Sequence, residues 1–266
     1  ALAEWTPLAE QGDAVAQYIL GNMYDYGRGV LENYKTAVMW YTKAAEQGDA
    51  KAQYNLGVMY DYGEGVLEND KTAVMWYTKA AEQGFAKAQY NLGVMYRNGE
   101  GVLENDKTAV KWYTKAAEQG YAKAQFNLGV MYDYGRGVPE NAKTAVMWYT
   151  KAAEQGYAKA QYNLGNMYDY GEGVLENDKT AVMWYTKAAE QGFAKAQYNL
   201  GVMYINGEGV LTDYVRAYMW LNLGAYNGNK KGAENKTKFA KKMTSSQIAK
   251  AQEMSSRCLE SGYTDC

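Results

Sequence analysis

Three observations predict an all-α solenoid. Nearly the same 36-residue text, DAKAQYNLGVMYDYGEGVLENDKTAVMWYTKAAEQG at Asp49–Gly84, recurs along the chain without insertion or deletion. Its closing glycine falls at Gly48, Gly84, Gly120, Gly156, Gly192 and Gly228, so six copies fill residues 13–228. Inside each copy apolar residues recur at three- and four-residue spacing, and proline is almost absent, with 2 in 266 residues. A fixed period of this length marks units that stack on their neighbours rather than a conventional core, and the whole is read as one continuous domain.

In chain order, residues 1–12, ALAEWTPLAEQG, match the second half of a repeat's second helix, with Gly12 in the closing position. They read as a partial repeat, and the natural chain is expected to hold a further helix upstream. Within a full copy, Ala52, Leu56, Met59 and Tyr60 fall at i, i+4, i+7 and i+8, one buried stripe of a helix A over residues 50–62. Gly57 interrupts it at a cost of about 1 kcal/mol relative to alanine. Glycine nevertheless stands there in every copy, which predicts close approach of a neighbouring helix. Gly63-Glu64-Gly65-Val66 then turns the chain, and Asn69-Asp70 supplies an N-cap and a first-turn acid for a helix B over residues 70–83. Its buried stripe is Ala73, Trp76, Tyr77, Ala80 and Ala81, large rings set against small residues.

The sixth copy drifts at Ile205, Thr212, Asp213, Val215, Leu221 and Asn222, as terminal units of an array do. Residues 229–266 read as a capping helix pair: a polar helix over 229–242, then a helix opened by the capping box Thr244-Ser245-Ser246-Gln247 and running to about Leu259. Lys230, Lys231, Lys236, Lys238, Lys241 and Lys242 concentrate positive charge at this end, read as a solvated capping face, with an anionic partner or phospholipid headgroups as the alternative.

Composition narrows the chemistry. Lys plus Arg number 28 against 30 Asp plus Glu, which gives no nucleic-acid footprint. No apolar run is long enough for a membrane span. The absence of histidine removes the commonest general base and metal ligand. The recurring G-x-G follows a helix rather than a strand, so it reads as loop punctuation, not a nucleotide fingerprint. No nucleophile, metal site or cofactor is expected. Cys258 and Cys266 are the only cysteines; they form either a short terminal disulfide, which implies an oxidising compartment, or two free thiols in a cytoplasmic tail.

The pattern A-x-x-x-L-G-x-x-Y, then G-x-G-V, then A-x-x-W-Y-x-K-A-A-E-x-G resembles the Sel1-like repeat branch of the tetratricopeptide superfamily over residues 13–228. The resemblance implies a right-handed solenoid with helix A lining a concave side, and a role as adaptor or scaffold. Together with the terminal cysteines it implies a bacterial protein that is periplasmic or secreted; one version, by analogy, is an immunity or inhibitor-type protein. A hydrolase acting on β-lactam or cell-wall substrates is the alternative, ascribed to a branch with cysteines inside its repeats, where this chain has none.

A protein or peptide ligand is expected on a second stripe of helix A: Lys51, Tyr54, Val58, Asp61 and Tyr62. Repetition makes rows of lysine (Lys51, Lys87, Lys123, Lys159, Lys195) and of aromatics (Tyr18, Tyr54, Tyr90, Phe126, Tyr162, Tyr198). Tyr62 and its counterparts Tyr26, Tyr134 and Tyr170, nearer the loop, are the better contact candidates, with Asp61 and Asp133 beside them; the Tyr54 row has an equal claim to inner-layer packing. Since copies are so alike, specificity falls to their differences: Asn22 and Asn166 for the stripe valine, Arg97 and Ile205 for the aspartate, Asn98 and Asn206 for the adjoining tyrosine. In related tetratricopeptide grooves an Asn at the place of Asn22 and Asn166 bonds ligand backbone. Met39, Met75, Met147, Met183 and Met219 form a further row on helix B, suited to self-association or to burial under the neighbouring unit.

Overall fold

The computed structural model describes residues 2–266, and among them there are fifteen helices and no strand. Contacts divide the chain into two compact units, one of residues up to Met131 with Gly135–Pro139, the other of Tyr132–Tyr134 with Glu140–Cys266. The first contains α1 (Leu2–Glu10), the hairpins α2 (Ala14–Asp25) with α3 (Tyr34–Glu46), α4 (Ala50–Tyr62) with α5 (Asp70–Glu82) and α6 (Ala86–Asn98) with α7 (Asp106–Glu118), and most of α8 (Ala122–Asp133). The second contains the end of α8, then α9 (Ala142–Glu154), α10 (Ala158–Tyr170) with α11 (Asp178–Ala189), α12 (Ala194–Asn206) with α13 (Tyr214–Tyr226), α14 (Lys230–Ala240) and α15 (Ser245–Glu260). Even-numbered helices from α2 to α12 are helix A, odd-numbered ones from α3 to α13 are helix B.

Helix boundaries follow from local chemistry. Asn69 is extended and its side chain accepts the Thr72 N–H at 3.0 Å, and Asn33, Asn105, Asn141 and Asn177 cap their helices the same way. Asp13 and Asp49 cap α2 and α4, but Phe85, Tyr157 and Phe193 hold that position before α6, α10 and α12 and make no side-chain cap bond. A ring contact replaces the cap: Phe85 lies 5.2 Å from the Tyr54 ring and Phe193 5.3 Å from the Tyr162 ring. Gly63, left-handed at φ 69°, closes α4.

The predicted stripes form the core. Ala52, Leu56 and Met59 of α4 and Ala73, Trp76, Tyr77, Ala80 and Ala81 of α5 are all buried, while Tyr60, the fourth residue of the α4 stripe, is half-buried and packs against the core from its edge. A Cβ on Gly57 would stand 2.6 Å from Cδ1 of Tyr77, so the helix A glycine admits the helix B ring. Lys79 Nζ caps the Trp76 face at 4.3 Å from its centroid, a contact repeated on Trp40, Trp112, Trp148 and Trp184. Buried glutamines tie successive units together. Gln53 Nε2 donates to the Ala45 carbonyl of the preceding helix B at 3.0 Å, while Gln83 Nε2 of its own unit donates to Gln53 Oε1 at 2.8 Å. Gln17, Gln89 and Gln161 are bonded in the same two ways.

At the C-terminal end α14 and α15 both pack against α13. Thr244 and Gln247 form the predicted capping box of α15. Cys258, fully buried among Met219, Trp220 and Ala189, is joined to Cys266, so the disulfide alternative holds. This packing corrects one expected row. Met39, Met75, Met147 and Met183 are exposed at 43–44%, but Met219 is 0% exposed because α15 covers α13 there.

Candidate functional site

The second stripe of helix A divides into two layers. Tyr54 is half-buried, with its ring 5.9 Å from Tyr77 and 5.2 Å from Phe85, and burial pushes its ionisation up to about 12. Tyr18, Tyr90 and Tyr162 pack on Tyr41, Tyr113 and Tyr185 in the same manner. Phe126 is half-buried in the same register. This row therefore completes the inner layer and shows only part of each ring. Tyr26, Tyr62, Tyr134 and Tyr170, at the ends of their helices, are exposed at 57%, 69%, 67% and 66%. Lys51, Lys87 and Lys123 are exposed, and Lys51 Nζ reaches over the Tyr18 ring of the preceding unit at 5.9 Å.

The aspartates of the stripe have an internal partner. The buried Tyr77 hydroxyl donates to Asp61 at 3.0 Å, and Tyr41, Tyr149 and Tyr185 donate to Asp25, Asp133 and Asp169 at 2.9, 3.0 and 3.0 Å. Burial raises these four carboxyls above their ordinary range, more than the tyrosine bond lowers them. A raised folded-state pKa means the native state holds the proton more tightly than the unfolded chain does. The resulting stabilisation is complete below the ordinary carboxylate pKa of 3.8 and is lost as pH rises through the folded value. These aspartates should therefore make the chain melt at higher temperature in mild acid than at neutral pH. Melting curves at pH 5 and 7 test this, and Asp61→Asn should shrink the difference; an unchanged difference would show that Asp61 titrates normally.

The asparagines in the stripe are also engaged internally. Asn22 Nδ2 donates to the Tyr18 carbonyl of its own helix at 3.0 Å. Asn166 Oδ1 accepts from the Tyr185 hydroxyl at 2.7 Å and from Asn199 Nδ2 at 3.3 Å. Asn98 donates to Glu100 at 3.1 Å. Arg97 is half-buried where other units carry aspartate.

Pockets recur where one unit meets the next. Between the second and third repeats Asp61, Tyr62, Glu68 and Asp70 face Tyr90, Asn91, Val94, Met95, Asn98 and Glu100 across a cavity of about 460 Å³. The first and second repeats make a counterpart of about 250 Å³ with Asp25, Tyr26, Glu32, Tyr34, Tyr54, Asn55 and Glu64. The fifth and sixth make one of about 390 Å³ with Asp169, Tyr170, Glu176, Asp178, Tyr198, Asn199 and Glu208. A fourth, of about 530 Å³, sets Asn166 and Tyr170 opposite Lys195, Tyr198 and Lys231. The structure thus brings Asp61, Tyr62, Tyr90 and Asn98 together, Tyr26 with Tyr54, and Asn166 with Tyr170. Asn22, Lys51, Lys87, Arg97, Lys123, Phe126, Asp133 and Tyr134 line none of these four cavities.

Sequence reasoning missed the loop carboxylates Glu68 and Glu100 and the asparagine Asn91 of the following repeat. Asn91 also lies against the Tyr77 hydroxyl, easing its ionisation. The available signal was their recurrence at fixed distance from Tyr62. It was also blind to the loop leucines Leu31, Leu67, Leu103, Leu175 and Leu211, each exposed by 90% or more. Tyrosine rings, carboxylates and amide groups in open pockets suit recognition of polar and cationic groups on another chain. No group of carboxylates among the described residues has the arrangement of a metal site. No helix among them is long and apolar enough to cross a membrane.

Comparison with known proteins agrees with this architecture. The chain aligns over 96% of its length, at 39% identity and TM-score 0.90, with a protective antigen present in uropathogenic Escherichia coli strains that displays an SLR fold; it spans 55% of that chain. A Sel1 repeat protein from Oxalobacter formigenes matches at 37% identity and TM-score 0.75, over 84% of this chain and 89% of the other. An immunity protein from Pseudomonas aeruginosa, 22% identical over 82% of each chain at TM-score 0.50, shares the fold alone. The search of curated proteins gave no match. The Sel1 repeat model matches six times, at residues 14–49, 50–85, 86–121, 122–157, 158–193 and 194–229, and the chain belongs to the Sel1 repeat family.

Proposed function

We propose that the chain is a non-catalytic interaction scaffold that holds a protein or peptide partner along the helix A face of its repeats. The observation that carries this reading is the recurrence of one pocket design at three joints, those of the first and second, second and third, and fifth and sixth repeats: an exposed tyrosine at the end of helix A, carboxylates from the segment that follows it, and an asparagine and aromatic from the next helix A. A partner lying across several repeats makes the same kind of contact repeatedly, and linked contacts reinforce one another. The tyrosines suit this use because a ring fixed by two torsions loses little entropy on binding. Export from the reducing cytoplasm is supported by the Cys258–Cys266 bridge, whose sulfur on α15 is part of the terminal core.

The test is a triple variant, Tyr26→Ala with Tyr62→Ala and Tyr170→Ala. These rings are mostly exposed, so helical content and melting should change little, within about 0.5 kcal/mol per site. Affinity capture from the source cells should lose the partner retained by the unaltered chain. Equal capture by both chains would place the binding surface elsewhere.

A further inference from the structure

The third repeat breaks a bond that its neighbours keep. In the first, second, fourth and fifth repeats the buried helix B tyrosine donates to an aspartate near the end of helix A, at 2.9–3.0 Å. The sixth repeat exchanges both partners for apolar side chains, Ile205 and Leu221. The third keeps its tyrosine, Tyr113, but puts Arg97 in the place of the aspartate. Tyr113 is 0% exposed, and its hydroxyl is a buried polar atom without a hydrogen-bond partner. Arg97, half-buried at the end of α6, and Asn127 of α8 both lie near enough to favour the ionised ring, as donors toward its oxygen; a guanidinium offers donors only, and the place of the aspartate is left without an acceptor. The proton of this hydroxyl therefore lacks the acceptor that four sister repeats supply.

The same position changes the charge of the joint. Asp61, Glu68, Asp70 and Glu100 share the pocket between the second and third repeats. In the same register one repeat later stand Arg97, Glu104, Asp106 and Arg136. Two of the four carboxylates have become guanidiniums.

We propose that the end of α6 recognises an aspartate or glutamate side chain of the bound partner, which pairs with Arg97 and accepts the Tyr113 hydroxyl proton. The inference rests on the reading of the helix A face as the partner-binding face. The incoming carboxylate takes the position that Asp61 fills in the preceding unit, and the flexible Arg97 side chain turns aside to flank it. A guanidinium grips a carboxylate through two parallel bonds, so the site selects a planar acid over negative charge in general. It also sets the partner's register. Near-identical units offer several equivalent placements, and a single arginine among aspartates admits an acidic residue at one of them.

Acetate is the probe, titrated into the full chain with chloride at matched ionic strength and with acetamide as the neutral isostere. The Arg97 Nε–H resonance, assigned through Arg97→Lys, reports binding. It should move along a saturating curve with acetate alone, and Tyr113→Phe should weaken that affinity by about threefold to tenfold, the worth of one hydrogen bond. A blocked peptide with a single glutamate should displace acetate, and its glutamine counterpart should not. Arg97→Asp, which restores an acceptor within the chain, should abolish the response while raising the melting temperature, which shows that the variant folds. A linear response equal to that of Arg28 and Arg136, or an acetate affinity unchanged by Tyr113→Phe, overturns the proposal. Such a failure is separate from partner capture, which the Tyr26, Tyr62 and Tyr170 variants test without touching Arg97.

Discussion

Gly65→Ala should lower the melting temperature far more than Gly84→Ala, although both replace a glycine in a turn. Gly65 is left-handed at φ 72°, and a Cβ there would stand 2.5 Å from the carbonyl carbon of Tyr34 in the preceding unit. Gly84 is also left-handed, at φ 90°, but a Cβ on it meets nothing within 4 Å. Each substitution incurs about 1–2 kcal/mol for an alanine in the left-handed region. Only Gly65→Ala adds a clash with backbone, which cannot rotate out of the way, for a total of about 3 kcal/mol. That corresponds to roughly 6–12 °C in a chain of this size. Thermal melts of the two variants check it. Equal losses would show that the second glycine of the G-x-G turn serves the turn alone and not the contact between units.

Alkaline pH should unfold the chain steeply. Tyr41, Tyr77, Tyr149 and Tyr185 are 0% exposed. Burial first, and the aspartate each hydroxyl faces second, push their ionisation well above the ordinary value of 10.0. With the folded value raised, stability is complete below pH 10 and declines above it, where the unfolded chain releases protons that the native state retains. Each such ring contributes a slope of about 1.4 kcal/mol per pH unit, so four together approach the whole stability of a typical domain, about 5–15 kcal/mol, within one to three units. Tyrosinate absorbance should rise in two phases, exposed rings near pH 10 and buried rings together with the loss of helical circular dichroism. Complete tyrosinate formation while the helices persist would refute this account.

The parts that were legible in the sequence are those decided within one 36-residue unit. The stripe Ala73, Trp76, Tyr77, Ala80 and Ala81, the Asn69 cap, the approach at Gly57 and the Thr244 capping box rest on neighbours a few residues away or on the paired helix. What could not be read crosses from one unit to another. The pocket unites Tyr62 with Asn91, and the half-burial of Tyr54 needs Phe85, the first residue of the following unit. Asp61 looked like a free groove carboxylate because its periodic position gives no hint of the Tyr77 hydroxyl on the opposing helix. Met219 stands in the same register as Met75, directly before the same tryptophan, and α15, folded back on α13, covers it. In a repeated sequence identical residues have identical local signals, so differences between them come from contacts that the period does not describe.

The glutamine ladder leads to a property of lineage rather than of stability. Gln53 bridges Ala45 and Gln83 just as Gln89 bridges Ala81 and Gln119, with the same atoms at nearly the same distances. Excising residues 86–121 would present Gln125 to Ala81 in place of Ala117, a bond it already makes in kind. Interchangeable fastenings of this sort let a gene shed or duplicate a whole unit by unequal recombination without inventing a new interface, so array length is free to drift. The unit lost in that excision would be the one that carries Arg97.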